Sequence, residues 1–396
     1  MIKIIEKADC CGCSACESVC PQACIAMQPD EEGFLYPVTD VEKCVDCGLC
    51  NGVCPIINAA GEVPRPQKAY IVNSKNATVR AESTSGGAFT PIAQYIIENG
   101  GVVYGAAFDE CFNVIHTYAD SVEELKKFRG SKYVQSDMGD CFRTAKAFLD
   151  NDRLVCFSGV PCQIEGLLRF LKKDYQNLIT ADVVCRAVPS PLAWRKYLIY
   201  RKERLKASEI KSISFRDKSK YGYQFPMLHI STDRKNYYRG IESDPYTRSF
   251  FGGMAVRPSC YKCNFRKRYR VSDFTLWDCF FPEYFAPELN DNRGSTNVLI
   301  HTEKGGELFK AITDSLSYKE AEPDKLVKDI KEMFKSSPSN AKRTQFFRDI
   351  HVMDENDFWN KYFPNTVKSV IMRFAKSLLA KTPFYKLVKK SVTQRG

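Results

Sequence analysis

The feature that most constrains this chain of 396 residues is a run of four cysteines that occurs twice. Each run has the spacing C-x2-C-x2-C-x3-C-P, and the cysteines are Cys10, Cys13, Cys16, Cys20, Cys44, Cys47, Cys50 and Cys54. A two-residue gap lets a tight turn aim successive thiolates at one cluster of iron and sulfur, and the proline ends each run without needing an amide donor. The two runs therefore predict two 4Fe-4S clusters.

In bacterial ferredoxins with this spacing, the fourth cysteine of each run binds the cluster of the other run. Cluster one is therefore predicted to have the ligands Cys10, Cys13, Cys16 and Cys54. Cluster two is predicted to have the ligands Cys20, Cys44, Cys47 and Cys50. Because each run completes the cluster of the other, residues 1–57 are expected to fold as one dicluster ferredoxin domain.

Disulfides and zinc are the competing interpretations of these cysteines. Eighteen cysteines in 396 residues are too few for a disulfide mini-domain, and no secretory signal is visible at the first residues. Zinc sites usually use pairs of ligands, often with histidine. The iron–sulfur interpretation is therefore favoured, and oxygen-sensitive clusters with many unpaired cysteines predict a reducing compartment, the cytoplasm.

The net charge of +11 is concentrated near the C-terminus, because residues 366–396 contain eight Lys or Arg and no Asp or Glu. The rest of the chain has little excess charge, so nucleic-acid binding is not predicted. The apolar residues of 366–396 fall on one helical face opposite the basic ones. This pattern fits a helix lying on the inner, anionic membrane face, and it fits a tail helix packed on the body equally well.

The middle of the chain alternates strands with helices. Apolar runs predict strands at 102–108, 153–157 and 178–184, and helices at 162–171 and 191–205. This β-α-β-α order predicts parallel strands joined by right-handed crossovers. Later strands, at 213–215, 227–231 and 274–276, are expected to be shorter and more antiparallel.

A third cluster is predicted from four scattered cysteines. Cys162 follows one predicted strand at the first turn of a helix, and Cys185 ends the next strand, so both are expected at one carboxyl edge of the sheet. Cys260 and Cys263 form a C-x2-C pair that completes four thiolates. A thioredoxin-like redox pair is the competing interpretation. Three other cysteines are interpreted as small core residues: Cys111, Cys141 and Cys156.

Six motifs carry a family resemblance: residues 83–87 (STSGG), 129–136 (RGSKYVQS), 159–163 (GVPCQ), 184–191 (VCRAVPSP), 260–263 (CYKC) and 272–278 (SDFTLWD). With them the chain resembles the beta-subunit family of coenzyme F-420 hydrogenases and dehydrogenases, with a dicluster ferredoxin domain fused in front. The resemblance extends from Met1 to about residue 320. It implies FAD in the middle domain, beside the third cluster.

Eight residues are implied to contact the flavin, by their positions in these motifs: Ser85, Gly86, Gly87, Lys132, Tyr133, Gln135, Ser136 and Gly159. Lys132 would be a partner of the phosphate or the ring. Gly87, at a helix start, would also offer its amide to a phosphate, although a plain loop is the simpler interpretation of Gly86-Gly87.

The sequence departs from the family pattern in two places. Arg186-Ala187 stands where relatives commonly have His-Gly, and Trp277-Asp278-Cys279-Phe280 stands where they commonly have Gly-Asp-Phe-Trp. The first change bears on the acceptor pocket, so use of the deazaflavin is not assumed. The second makes Cys279 a reserve ligand for the third cluster.

The fold class expected from all this is α+β: a dicluster ferredoxin module fused to a mixed α/β domain that binds flavin and iron–sulfur, with a helical tail. The expected divisions are a ferredoxin domain at 1–57, a linker at 58–67, a flavin-binding part at 68–150, a part with the third cluster and the flavin site at 151–320, and a basic helical extension at 321–396.

The function expected is that of an iron–sulfur flavoprotein oxidoreductase. It would relay single electrons from the ferredoxin clusters to FAD for hydride transfer with a soluble acceptor or small substrate. The alternative is a non-catalytic electron-transfer subunit that works with a redox partner protein. No catalytic side chain is predicted, and no role is given to the four histidines, His116, His229, His301 and His351.

Overall fold

The protein is described by a computed structural model that places residues 1–364 and the single residue Ile371. The amphipathic segment expected at 366–396 lies outside the described residues, apart from Ile371. Within the part of the chain that the structure describes, no helix is long and apolar enough to cross a membrane.

The strands of the described residues, numbered in chain order, are β1 Ile25–Pro29, β2 Leu35–Thr39, β3 Lys68–Ser74, β4 Val102–Phe108, β5 Val114–Ala119, β6 Val155–Gly159, β7 Leu178–Val183, β8 Ile210–Asp217, β9 Met227–Thr232, β10 Asn236–Arg239, β11 Phe274–Asp278, β12 Thr296–Ile300 and β13 Leu316–Ala321.

The helices are α1 Ala15–Val19, α2 Leu49–Gly52, α3 Ala77–Glu82, α4 Phe89–Glu98, α5 Cys141–Asp150, α6 Pro161–Leu171, α7 Pro191–Leu205, α8 Pro245–Phe251, α9 Pro282–Phe285, α10 Glu303–Ala311, α11 Pro323–Val327, α12 Lys331–Phe334, α13 Arg343–Val352 and α14 Glu355–Tyr362. Two short 3-10 helices, Lys7–Asp9 and Pro258–Lys262, pack against each other.

The two cysteine runs fold in the same way. In each run the third cysteine lies on a one-turn helix, Cys16 on α1 and Cys50 on α2. Each helix is preceded by a residue in the left-handed conformation, Ser14 with φ 66° and Gly48 with φ 72°. The antiparallel hairpin β1–β2 joins the two runs. The repeat in the sequence is therefore a repeat in structure.

A sheet of eight strands forms the centre of the molecule, in the order β13-β3-β12-β11-β7-β6-β4-β5. The four strands β11, β7, β6 and β4 are parallel, and the strands on both sides of them are antiparallel to their neighbours. Helix α6 links β6 to its parallel neighbour β7, as the β-α-β pattern predicts. The mixed α/β class beside a ferredoxin module is confirmed.

Local sequence explains why the helices at this sheet begin where they do. Helix α7 begins after Ser190, whose hydroxyl accepts a hydrogen bond from the Ala193 amide at 3.0 Å. Proline occupies the first position of both α6 and α7, where its missing amide costs no hydrogen bond. Helix α6 begins two residues after β6 ends, directly beyond the carboxyl edge of the sheet, and α7 begins eight residues after β7 ends.

Two expectations need correction. Strand β11 was expected among short antiparallel strands, but it is parallel to β7 and antiparallel only to β12. An apolar run indicates a buried strand without revealing its partner. Cys111 was expected in the core, and it is exposed in the turn between β4 and β5, whereas Cys141 and Cys156 are buried as expected.

The C-terminal helices belong to the packed body. Helix α14 packs on α7, and the ring of Trp359 lies edge-on to that of Tyr197 with 5.5 Å between centroids. Trp359 and Phe346, from α13, are fully buried. Residues 58–67 contain no helix or strand and are mostly exposed.

Candidate functional site

A cavity of about 430 Å³ lies at the carboxyl edge of the central sheet. Residues at the ends of three parallel strands contribute to its wall: Gly159 of β6, Val183 of β7 and Asp278 of β11. Cavities of roughly 300–1,000 Å³ hold small molecules and cofactors. Seven of the eight residues expected at a flavin line this cavity: Ser85, Gly87, Lys132, Tyr133, Gln135, Ser136 and Gly159.

Gly86 is the exception, and its expected contact needs correction. It does not line the cavity but packs on the sheet, where a Cβ atom would lie 2.3 Å from the Val72 carbonyl oxygen. Its amide donates to Thr296 Oγ1 at 2.9 Å, and its carbonyl accepts from the Ser74 amide at 2.7 Å. Position 86 therefore requires glycine, because the loop approaches two strands too closely for a side chain.

The loop that carries Ser85 and Gly87 is held from behind by a buried lysine. The ammonium of Lys218 donates to the carbonyl oxygens of Arg80, Ser85 and Arg293, each at 2.8 Å. Ser85 Oγ also lies 2.8 Å from Thr296 Oγ1. Three carbonyls on one ammonium satisfy all of its donors. The loop is thus fixed before any ligand binds.

Four basic side chains lie on the cavity wall, and three of them are paired with a carboxylate. Arg216 lies 3.1 Å from Asp278, Arg186 lies 2.8 Å from Glu332, and Arg129 lies 2.5 Å from Glu82. The fourth is Lys132, whose ammonium donates to the carbonyl oxygens of Lys127 at 2.8 Å and Arg129 at 3.1 Å. Burial lowers the pKa of Lys132 to about 7. Among the described residues, Lys132 is the basic residue of this wall that has no carboxylate partner.

His116 is a wall residue that the sequence did not reveal. Its Nε2 lies 3.1 Å from the Ser158 carbonyl oxygen, which only accepts, so Nε2 carries the proton. Its Nδ1, 2.8 Å from Ser136 Oγ, then accepts from that hydroxyl, and Gln163 Nε2 donates to the same oxygen at 3.0 Å. Burial lowers the pKa of His116 to about 4, so the ring is neutral near pH 7. The network fixes the orientation of Ser136.

Four buried donors of wall residues have no hydrogen-bond partner in the described residues: Arg129 Nε, Arg186 Nε, Arg216 Nε and Trp277 Nε1. Buried polar atoms are normally satisfied, so unpartnered donors facing a cavity indicate a ligand with acceptor atoms. Trp277 and Asp278 lie in the 272–278 motif, which could have pointed to them. Arg216 directly follows a predicted strand and carried no signal of its own.

The four cysteines expected at cluster one lie together. Burial raises the pKa of Cys10, Cys16 and Cys54, and repulsion from the Cys13 thiolate adds to each rise. Repulsion from Cys54, which belongs to the second run, raises the pKa of Cys10 and Cys16 as well. The grouping follows the cross-run arrangement.

The four cysteines expected at cluster two line a second, small cavity: Cys20, Cys44, Cys47 and Cys50. A fifth, Cys24, lines the same cavity, with its Sγ 3.3 Å from that of Cys20. Cys47 is exposed. The backbone amide of Ile2 donates to Cys50 Sγ at 3.1 Å, the kind of contact that tunes cluster potentials.

The four cysteines of the expected third cluster also meet. Burial raises the pKa of Cys185 to about 12 and that of Cys260 to about 11, and repulsion from Cys263 adds to both rises. Cys162 is close enough to feel the charges of Cys185 and Cys263. The Val188 amide donates to Cys260 Sγ at 3.3 Å. Cys162 and Cys185 face the 430 Å³ cavity.

Helix α6 brings the first and third cysteine groups close together. Cys162 lies in its first turn, and Gly166 lies one turn later, where a Cβ atom would be 2.9 Å from Cys13 Sγ. One helical turn is about 5.4 Å. Cys11 lies between them, within hydrogen-bonding reach of both Cys13 and Cys162.

The reserve ligand Cys279 is buried in an apolar cluster with Ala69, Leu299 and Met333, and that cluster contains no other cysteine. In the described part of the chain, no three His, Cys, Asp or Glu side chains converge on a single-ion metal site. The thiolates of a 4Fe-4S cluster bind separate irons, so they surround a volume instead of meeting at a point.

Three family models match the chain. Two models of the family described as "Coenzyme F420 hydrogenase/dehydrogenase, beta subunit" match the chain, the N-terminal one at residues 69–142 and the C-terminal one at residues 152–326. The chain belongs to the coenzyme F420 hydrogenase/dehydrogenase beta-subunit family. A "4Fe-4S dicluster domain" model matches residues 9–57. This F420 hydrogenase/dehydrogenase beta-subunit relative is therefore an iron–sulfur protein of an oxidoreductase family.

One solved structure similar to this beta-subunit relative is described as "Xenon derivatization of the F420-reducing [NiFe] hydrogenase complex from Methanosarcina barkeri". The match has 16% sequence identity and a TM-score of 0.44, and it covers 66% of this chain and 85% of the other. No curated protein sequence matches the chain.

Proposed function

We propose that the chain relays single electrons from cluster two through cluster one and a third 4Fe-4S cluster to FAD in the 430 Å³ cavity, for two-electron transfer with a soluble acceptor or small substrate. The observation that carries this proposal is the row formed by the cysteine groups. Helix α6 joins cluster one, at Cys13, to Cys162, and Cys162 faces the cavity.

The residues present fit the proposed clusters. Three groups of four thiols each lie together, and two of the groups receive amide N–H donors at sulfur, on Cys50 and Cys260. Clusters of this type are anionic and are stabilised by such donors. Cys10, Cys13, Cys16 and Cys54 would hold cluster one, Cys20, Cys44, Cys47 and Cys50 cluster two, and Cys162, Cys185, Cys260 and Cys263 the third cluster.

The wall of the cavity fits a flavin dinucleotide. Trp277 Nε1 and Arg216 Nε are unpartnered donors that need acceptors, and Lys132 is a cation that needs an anion. Gly87, with φ 80°, brings backbone to the cavity surface where Ser83 and Val79 leave little room for a side chain. We infer that Lys132 and the Gly87 loop bind the phosphates, and that Tyr133 and Ser136 contact the ring.

The side chains at this site orient neighbouring groups and exclude water, and they take little part in the reaction itself. When bound, the clusters would pass single electrons and the flavin would pair them for release as hydride. The neutral His116 holds Ser136 in one orientation. The side chains of Tyr133, Phe250 and Phe251 pack together at the wall and keep water from that side. No side-chain acid or base is required.

A second candidate function is that of a non-catalytic electron-transfer subunit. The name of the family, a beta subunit, favours it, because a partner protein would then supply the substrate site. Turnover of a two-electron acceptor by the isolated, reduced chain would support the enzyme. Cluster reduction and flavin reduction without turnover of any acceptor would support the alternative.

The test of the proposal is composition after anaerobic purification. We expect about twelve irons per chain, four for each cluster, and about one FAD. Cys263→Ser should lower the iron content to about eight, and Cys279→Ser, the matched control, should leave it unchanged. Eight irons in the unmutated chain would contradict the third cluster, and absence of flavin after mild preparation would contradict the cavity assignment.

A further inference from the structure

One arginine of the sheet domain enters the ferredoxin domain beside cluster one. Arg257 lies just before the 3-10 helix that carries Cys260, and its side chain is 0% exposed. Its Nε donates to the Cys10 carbonyl oxygen at 2.8 Å, and its Nη2 donates to the Leu35 carbonyl oxygen at 3.0 Å. The same Nη2 lies 3.5 Å from Cys10 Sγ. The guanidinium lies over the Tyr36 ring, 4.1 Å from its centroid.

The charge of Arg257 has no carboxylate partner among the described residues. Its Nη1 donates to the amide oxygen of Gln135 at 3.4 Å. Another arginine of the same domain interface, Arg343, pairs with the carboxylate of Glu32, one of its contacts being 2.7 Å long. A buried charge is costly unless an opposite charge balances it. The group beside Arg257 that would carry a negative charge is Cys10, a predicted ligand of cluster one.

The backbone around Arg257 is shaped for this contact. Gly12, between two ligand cysteines, has φ 71°, and a Cβ atom there would lie 2.9 Å from Arg257 Nη1. The Arg257 amide donates to the Val188 carbonyl at 2.9 Å, and the Arg257 carbonyl accepts from the Cys260 amide at 3.0 Å. The main chain of Arg257 is thus fixed by the third-cluster segments while its side chain reaches cluster one.

We propose that Arg257 is the counter-charge of cluster one and raises its reduction potential. This rests on the proposed function, because it requires a cluster at Cys10. Reduction adds one negative charge to the cluster, and a fixed cation close by stabilises the reduced form more than the oxidised form. A higher potential at cluster one than at cluster two favours movement of electrons inward, toward the third cluster.

The test is an anaerobic redox titration of the intact protein, followed by EPR. In Arg257→Gln, the ratio of reduced to oxidised cluster at a fixed potential should fall about tenfold in one of the three one-electron steps, which is a shift of about 59 mV. The step that moves should be the one that is missing in Cys54→Ser. Arg257→Lys, which keeps the charge, should restore most of the potential. Arg343→Gln, at the same interface, should leave all three steps in place.

Iron content separates this proposal from the proposed function. Loss of iron in Arg257→Gln but not in Arg257→Lys supports the proposal, because the two variants differ in charge. An unchanged potential in an iron-replete Arg257→Gln chain overturns it, as do equal shifts of all three steps. Loss of iron in both variants also overturns it and makes Arg257 a packing residue. An unmutated chain that lacks cluster one would instead contradict the proposed function.

Discussion

In the proposed row of cysteine groups, the cluster-two group is the outer end and the third-cluster group beside the cavity is the inner end. The two ends differ in which molecules can reach them. At the outer end, Cys47 is exposed, and the apolar side chain of Val45, which lines the same small cavity, is 64% exposed. At the inner end, Cys260 is buried, and Cys162 and Cys185 line the cavity. The outer end suits contact with another protein, and the inner end suits a small molecule.

The difference also appears in the charges. The outer end has surface pairs such as the N-terminal amine with Asp46, which contribute little to stability. Towards the inner end, buried cations are held by named partners, as Arg270 is by Asp182 at 2.9 Å. Arg257, which is fully buried, and Lys132, which is half-buried, have no carboxylate partner among the described residues. The inner site therefore contains fixed, buried charges, whereas the outer one is open to solvent.

The largest expected effect tests which cysteines share a cluster at the outer end. Under cross-run ligation, Cys10→Ser and Cys54→Ser remove the same cluster, so the double variant should lose about four irons, the same as either single variant. The pair Cys44→Ser and Cys54→Ser should lose about eight. Iron analysis of anaerobically purified chains measures this.

Cys24→Ser is the matched control for these variants, because Cys24 lines the cluster-two cavity without belonging to either run of four. Its iron content should equal that of the unmutated chain. A loss of about eight irons in the Cys10/Cys54 double variant would show that each run binds its own cluster, and the description of the outer end would have to change.

The parts of this arrangement that were predictable from sequence are the local ones. Cysteine spacing is a property of single turns, so Cys10 and its partners could be assigned without a fold. The strand–helix–strand pattern placed Cys162 and Cys185 at one edge, because parallel neighbours bring their carboxyl ends together. The family resemblance added the cavity residues around Lys132.

The rest depends on contacts between distant segments. Arg257 and Cys10 are 247 residues apart in the chain, and no periodicity links them. His116 lies on a strand and belongs to no sequence motif. Its role follows from its hydrogen bonds with Ser136 Oγ and the Ser158 carbonyl oxygen, which the sequence does not show. Gly86 was assigned to the flavin because a pair of glycines looks the same whether it binds phosphate or packs closely on a strand.

The next largest effect concerns the inner end. Lys132→Met should weaken FAD binding roughly tenfold to hundredfold, because a hydrogen bond to a charged group contributes about 1.5–3 kcal/mol. Lys126→Met, an exposed lysine nearby, is the control and should leave binding unchanged. Flavin fluorescence on anaerobic titration of the flavin-free chain measures both. Equal affinities in the Lys132→Met and unmutated chains would contradict the phosphate contact.

The pH dependence of the same titration follows from Lys132. Burial lowers its pKa to about 7 in the empty site, and a bound phosphate raises that pKa. Below pH 7 the lysine is already protonated, so affinity is constant. Above pH 7 binding must take up a proton, so affinity falls by up to about tenfold per pH unit until the pKa of the complex is reached. Lys132→Met should lack this decline.

The smallest expected effect tests the contact between helix α6 and the cluster-one residue Cys13. Gly166→Ala should lower the thermal midpoint by an amount equivalent to about 1–3 kcal/mol, because the new Cβ atom would lie 2.9 Å from Cys13 Sγ and overpack the interface. Elsewhere in a helix the same change normally stabilises. Gly306→Ala, in α10 with nothing within 4 Å, should therefore raise the midpoint, by about 1 kcal/mol at most. Gly166→Ala should also speed proteolysis in the exposed segment 58–67. A higher midpoint for Gly166→Ala, with unchanged proteolysis, would mean that α6 and cluster one are not in close contact.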